Sequence, residues 1–421
     1  MLAEDLIPVV KNTISASIKC NTIKGYIGWT SCNNICMDIH DCIETCEESF
    51  VVEEYLLVLE TATYILVSGI KLASNADSSS GMLTDVIMRT YELIGRCTEE
   101  IAKLDKQMRD TALGMLIKEA NKKVFDGWIN WRYDLLKYGI CLCDDKNAYR
   151  LEKTLDGFLA DIEEDCFPEY RKNEDMIARY LLHRHLYGRE NTKDELHEHI
   201  YISELRIIAI KDAIEEGNFK EAEKLCMENS NVDDDWRYSR NDPEDWNNIL
   251  YDIYVAAGDT DKQIEQARKL LLFGNEKFWE TLRQLYKKAE AWKEKYPELL
   301  DELKSSGKSV CYRSVLIAEN EKQRLLDDLT EKPYNLFDYA EYLVMDYPEQ
   351  IYSLCYRVII DNCAQARDRR EYKKVTKQIS QLIKWNGDNT ARKLIAELKQ
   401  TYPRKPALIE ELEKVERKLG K

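Results

Sequence analysis

The sequence predicts an all-α fold arranged as a helical-hairpin repeat array, an irregular α-solenoid. Two observations carry this expectation. Gly (16) and Pro (8) are scarce in 421 residues. Glu, Lys, Leu and Ala are abundant, which favours helix over a β fold or a glycine-rich α/β enzyme. A readable hairpin turn, Glu216-Gly217-Asn218-Phe219, also sits between two stretches of helical period. Gly217 there supplies the left-handed conformation that ends one helix, and Asn218 caps the next. Phe219, Ala222 and Leu225 then fall on one face, with Ala222 small where two helices approach.

Bulk properties bound the function. Apolar residues make up 44% of the chain, enough for a long core. The net charge of -16 disfavours bulk nucleic-acid binding. That charge is uneven: residues 351–421 hold 17 Lys+Arg against 9 Asp+Glu, which leaves -24 on the first 350. An acidic body with a basic end suits an acidic partner or a head-to-tail contact. Thirteen scattered cysteines, with no basic, apolar leader at Met1-Leu2-Ala3-Glu4-Asp5, read as reduced core residues of a cytoplasmic protein. The most apolar run, Tyr55 to Ile70, is interrupted by Glu60 and reads as too short for a bilayer, so no membrane contact is expected.

Taken in order, residues 1–198 form an N-terminal helical region and residues 199–421 the repeat region. The first helix is expected over Leu6–Lys19. A second follows the Gly25-Tyr26-Ile27-Gly28-Trp29 turn, capped by Thr30 or Ser31. It carries Cys32, Cys36, Cys42 and Cys46. The i,i+4 pairs share a face, yet Cys36 and Cys42 diverge by about 240°, so small-residue packing is favoured over a metal site. Helices over Val51–Ala73 and Met82–Lys103 flank the polar connector Ser74 to Gly81. Trp128, Trp131, Tyr133 and Leu136 mark dense packing farther on. Cys141-x-Cys143 has no histidine at finger spacing, and the next cysteine is Cys166. The doublets His183-x-His185 and His197-x-His199 each face opposite sides of a helix. A metal would need one histidine from each and a third ligand such as Glu195 or Glu198. The acidic stretch Asn231 to Arg237 lacks the central glycine of a calcium loop, and Pro243 suits a helix start.

Turn punctuation recurs at Ala257-Gly258-Asp259-Thr260 and at Asn386-Gly387-Asp388. Arg370-Glu371-Tyr372-Lys373-Lys374-Val375 keeps the apolar offset of Phe219 and Ala222 without the glycine. Tyr-Pro recurs at Tyr296-Pro297, Tyr347-Pro348 and Tyr402-Pro403, read as helix starts with proline in the first turn. On Ala213 to Cys226, Ala257 to Lys262, Asp346 to Glu349, Arg370 to Val375 and Tyr402 to Leu408, the chain resembles the tetratricopeptide-like helical region of bacterial SWIM zinc-finger-associated proteins. Lys24 to Trp29 and Asp77 to Gly81 resemble connectors of that region. The resemblance implies a tetratricopeptide-like helical fold. The associated zinc motif, Cys-x-Cys followed by Cys-x-His, is absent, so no zinc role carries over.

The functional expectation is a non-enzymatic protein–protein interaction scaffold with no cofactor and an unknown protein partner. Its candidate contact surface is Arg367, Arg369, Arg370, Lys373, Lys374 and Lys377. The alternatives are a nucleic-acid-associated protein using the same basic end, or a metal-binding protein using the cysteine helix or the histidine doublets.

Overall fold

A computed structural model describes residues 6–160, 167–228 and 243–419. It is all-α. It holds 22 α-helices among the described residues, where the β pairing is confined to isolated bridges, Ile23 with Tyr26 and Ile27 with Ala76. Chain contacts separate two compact units, Met1–Trp246 and Asn247–Lys421. The sequence boundary at 198/199 falls inside the first of these.

The first unit contains α1 (Leu6–Asn21), α2 (Trp29–Val51), α3 (Tyr55–Ala73), α4 (Met82–Ala102) and α5 (Lys106–Ala120). It continues with α6 (Ile129–Tyr138), α7 (Ala148–Leu159), α8 (Pro168–Tyr187), α9 (Lys193–Glu198), α10 (Ser203–Glu215) and α11 (Phe219–Glu228). The central element is α3, which packs against α1, α2, α4 and α5. It is apolar around most of its circumference, as a helix enclosed by others must be. At 19 residues it is long and apolar enough to cross a membrane, contrary to the length read from the sequence, and its burial is that of a core helix. The helix after the first turn starts at Trp29, with Gly28 as its uncapped N-cap, so neither Thr30 nor Ser31 caps it.

The apolar core of this unit reaches Leu182 on α8. Beyond it, buried apolar residues such as Leu196, Leu205, Ile210 and Leu225 are joined by polar ties. The Arg184 guanidinium donates to both oxygens of Asp212, at 2.7 and 2.8 Å, and Arg189 bonds the Asp212 carbonyl, Glu215 and Glu216. These bonds cross residue 198, joining α8 to the α10–α11 hairpin.

The second unit takes in most of α12 (Pro243–Ala257), then α13 (Thr260–Phe273), α14 (Phe278–Lys288), α15 (Trp292–Ser305), α16 (Ser309–Ala318) and α17 (Lys322–Glu331). The short α18 (Leu336–Tyr339), α19 (Pro348–Gln365), α20 (Arg369–Lys384), α21 (Asp388–Thr401) and α22 (Pro406–Leu419) complete it. Successive helices pack on one another from α13 to α17 and from α19 to α22.

One turn recurs through both units. The amides of Asn218, Asp259, Asn275, Ala291, Glu321 and Gly387 each donate to the carbonyl five residues back. The residue just before each one has a positive φ: Gly217, Gly258, Gly274, Glu290, Asn320 and Asn386. This is the Schellman closure of a helix C-terminus. Asp259 then caps α13 through the Lys262 amide. At the last of these turns Asn386 takes the left-handed position, and Gly387 has a φ of -88°. A Cβ on Gly387 would lie 2.9 Å from the Leu382 carbonyl, so the glycine serves close approach.

The Tyr-Pro expectation holds once. Pro348 opens α19, whereas Pro297 lies inside α15 and Pro403 sits in the turn before α22. The first turn of α15 forms upstream of its proline, through Glu294 and Lys295 amides to the Ala291 carbonyl. The ring therefore deletes a later bond, to the carbonyl of the exposed Lys293.

Between α17 and α19, where the chain forms only a short helix and turns, Arg313 of α16 holds it. Buried at 1% exposure, it donates to Asp328 at 2.7 Å and to the Lys332 and Tyr334 carbonyls at 2.7 and 2.9 Å. Its guanidinium lies over the Tyr334 and Tyr339 rings. Arg313→Ala strands a buried carboxylate and two carbonyls, and costs about 3–5 kcal/mol. The double variant R313M/D328L loses less than Arg313→Ala alone. Urea unfolding of the two variants checks both statements, and equal losses would contradict the stranded-charge account.

Candidate functional site

The candidate basic surface lies on α20 and the turn before it. Asp368 accepts from the Glu371 amide, and the Glu371 carboxylate accepts from the Arg367 amide, a reciprocal capping box that fixes the helix start. Tyr372, Val375, Thr376, Ile379 and Leu382 form the buried face of α20. That register turns Arg370, Lys373, Lys374 and Lys377 to solvent at i, i+3, i+4 and i+7, and Lys384 extends the same face by two turns. From Arg370 to Lys384 the row runs about 21 Å at 1.5 Å per residue. Among the described residues none of these five side chains makes an ion pair.

The six predicted residues therefore separate into two groups. Arg369 is committed inside the fold, donating to Glu411 at 3.0 Å and to Glu410 on α22. Arg367 is exposed before the helix and contributes its backbone amide to the cap. Arg370, Lys373, Lys374 and Lys377 form the outward row.

Beside this row is a feature that charge reading missed. An open groove of about 240 Å³ runs between α19 and α20, lined by Asn362, Gln365, Glu371, Lys374, Val375 and Gln378. Asn362 donates to the Gln378 side-chain oxygen at 3.1 Å. The available signal was Asn362 and Gln365 in the last turn of α19, paired in space with Gln378 by the tight turn at 366–368.

The cysteine helix is chemically quiet. Cys32, Cys36, Cys42 and Cys46 are all buried, because α1, α3 and α4 each pack on α2. Burial pushes the thiols of Cys36, Cys46 and Cys97 up to about 12, and that of Cys42 up to about 11. Protonated thiols are neither nucleophiles nor ligands. The histidine doublets do not converge. His183 Nδ1 lies 3.0 Å from Glu195, and His185 Nε2 lies 3.1 Å from the Cys143 carbonyl. Among the described residues no group of three or more His, Cys, Asp or Glu side chains is placed to hold a metal ion. The Asn231 to Arg237 stretch and Cys166 lie outside the described residues. In the Ser74 to Gly81 connector, Asp77 accepts from the Ser79 amide and hydroxyl, and Ser80 bonds Asn33. The loop closes on protein groups.

Burial predicts thiol reactivity. With iodoacetamide at pH 8, Cys20, exposed on α1, is alkylated before the buried cysteines of the described residues. Cys36, Cys42, Cys46 and Cys97 react only after unfolding. Peptide mass spectrometry reads the order, and early labelling of Cys46 would contradict it. The same shifts set a pH dependence. Folded thiols are raised above the ordinary value of 9.0, so above pH 9 the unfolded chain holds fewer protons and stability falls as pH rises toward 12. The urea midpoint drops between pH 8 and pH 10.5.

Compared with known proteins, this chain is matched by no protein-family model, no curated protein and no solved structure.

Proposed function

We propose that the chain is a non-enzymatic, cytoplasmic interaction scaffold, an irregular α-solenoid of helical hairpins that captures a protein partner. The observation that carries this is the outward row Arg370, Lys373, Lys374, Lys377 and Lys384, five exposed cations on one helix face that form no ion pair among the described residues. The recurrent Schellman turn and the packing of successive helices support a hairpin array. The relation to the tetratricopeptide-like region of bacterial SWIM zinc-finger-associated proteins belongs to this reading. The second reading, nucleic-acid binding through the same basic end, is supported by the charge of +8 on residues 351–421 and opposed by -16 overall.

The test is a pull-down with the tagged full chain, with and without nuclease, repeated with R370E/K373E/K374E. These residues are exposed, so the variant keeps its helix content and melting temperature. Expected is a stoichiometric protein partner that survives nuclease and falls at least tenfold with the triple reversal. Unchanged capture by the folded variant removes α20 from the reading. Capture lost on nuclease treatment favours nucleic acid.

A further inference from the structure

The α20 row and the α19–α20 groove share a residue. Lys374 belongs to the row and lines the groove, and Gln378 stands one turn farther along the same groove wall. A ligand lying along α20 thus meets fixed positive charge on one side and carboxamides on the other. The Asn362–Gln378 bond uses one amide hydrogen and one carbonyl oxygen. It leaves the Asn362 oxygen and the Gln378 amino group to pair with a third group. The one acid in the groove, Glu371, is turned to the Arg367 amide.

We propose that this combined surface binds an extended acidic peptide, its carboxylates on Arg370, Lys373, Lys374 and Lys377 and its backbone amides on Asn362 and Gln378. This rests on the scaffold reading and names the chemistry of its partner. Spacing supports it. Alternate side chains of an extended strand repeat every 6.6 Å or so, and cations at i,i+4 on a helix rise by about 6 Å. Carboxamides suit peptide N–H and C=O groups, since each supplies one donor and one acceptor site here. Nucleic acid is the poorer fit. The outward face carries no aromatic ring for base stacking, because Tyr372 is turned inward.

The experiment uses the full chain and a fluorescein-labelled ten-residue peptide of alternating Glu and Ser, read by fluorescence anisotropy at 50 and 200 mM NaCl. Expected is saturable binding that weakens with salt, and at least tenfold weaker binding of the Gln–Ser counterpart. R370E/K373E/K377E lowers affinity at least tenfold. K211E/K288E/K293E, an equal charge change at scattered exposed lysines, lowers it less than threefold. N362A/Q378A lowers affinity threefold or more and leaves the salt dependence unchanged. Equal binding of the two peptides overturns the proposal, as does equal damage from the scattered reversal. An unaltered affinity in N362A/Q378A overturns the groove's part in it. A twelve-nucleotide RNA that binds more tightly than the peptide, and is lost with the same triple reversal, assigns the row to nucleic acid. A protein partner captured independently of the row, with no peptide binding, overturns this inference and leaves the scaffold reading standing.

Discussion

Arg313 is the constraint on which the second unit depends. Between α17 and α19 the chain abandons paired helices for a short helix and turns, and such a segment must find partners for its backbone carbonyls. One guanidinium supplies them. Its three nitrogens are each used, on Asp328, Lys332 and Tyr334, and two tyrosine rings cover its faces. A lysine could not meet three directions with a planar fork. A buried ion pair of this kind gives little net stability against an apolar pair of the same shape. Its contribution is geometric: it fixes where 332–339 lies against α16, and so permits α19 to start a new run of packed helices.

The all-α class was legible because it rests on composition and on period, which survive substitution. The turns were legible where a glycine takes the left-handed position or stands directly after it, as at Asn386-Gly387. At Gly217 and Gly258 the sequence marks the turn that the backbone makes. At Glu290 and Asn320 the same Schellman bond forms with a non-glycine residue at φ 56° and 57°, and no letter pattern announces it. The strain is modest, about 1 kcal/mol for a non-glycine residue in that region, and the bond offsets it. The turn therefore recurs along the chain as a backbone conformation rather than as a residue motif. Tyr-Pro misled for the converse reason. Proline tolerates the first turn, the turn before a helix and, where the lost bond faces water, the helix interior.

On the candidate surface, charge was legible and pairing was not. Arg369 and Arg370 are adjacent in sequence and indistinguishable by type, yet 100° of helix rotation sends one to Glu410 and Glu411 and the other to solvent. The acids that separate them lie some forty residues downstream, so the difference is tertiary. The groove carboxamides escaped notice because Asn and Gln carry no charge and no fixed spacing. The cysteine helix shows the reverse case. There the divergence of Cys36 from Cys42 favoured packing over ligation, and all four cysteines are buried, with the thiols of Cys36 and Cys46 pushed up by burial.

The row on α20 is a cost to the chain that carries it. Arg370 with Lys373 and Lys374, and Lys377 with Lys373 and Lys374, are like-charge neighbours at i,i+3 or i,i+4, each worth about 0.2–0.5 kcal/mol of repulsion before screening by salt. The sum is about 1–2 kcal/mol. Burial of Val375, Ile379 and Leu382 on the opposite face contributes about 1.5–3 kcal/mol each, so the helix stands with a margin. Helix formation thus tolerates the row without requiring it, and the acids of α20 and its cap, Asp368 and Glu371, stand at the helix start, where they serve the backbone. A polyanion laid along α20 would relieve this repulsion. By linkage, whatever binds the row must stabilise the helix beneath it by the same free energy with which the folded helix favours binding. The self-repulsion of the isolated chain and its affinity for an acidic partner are two readings of one charge distribution.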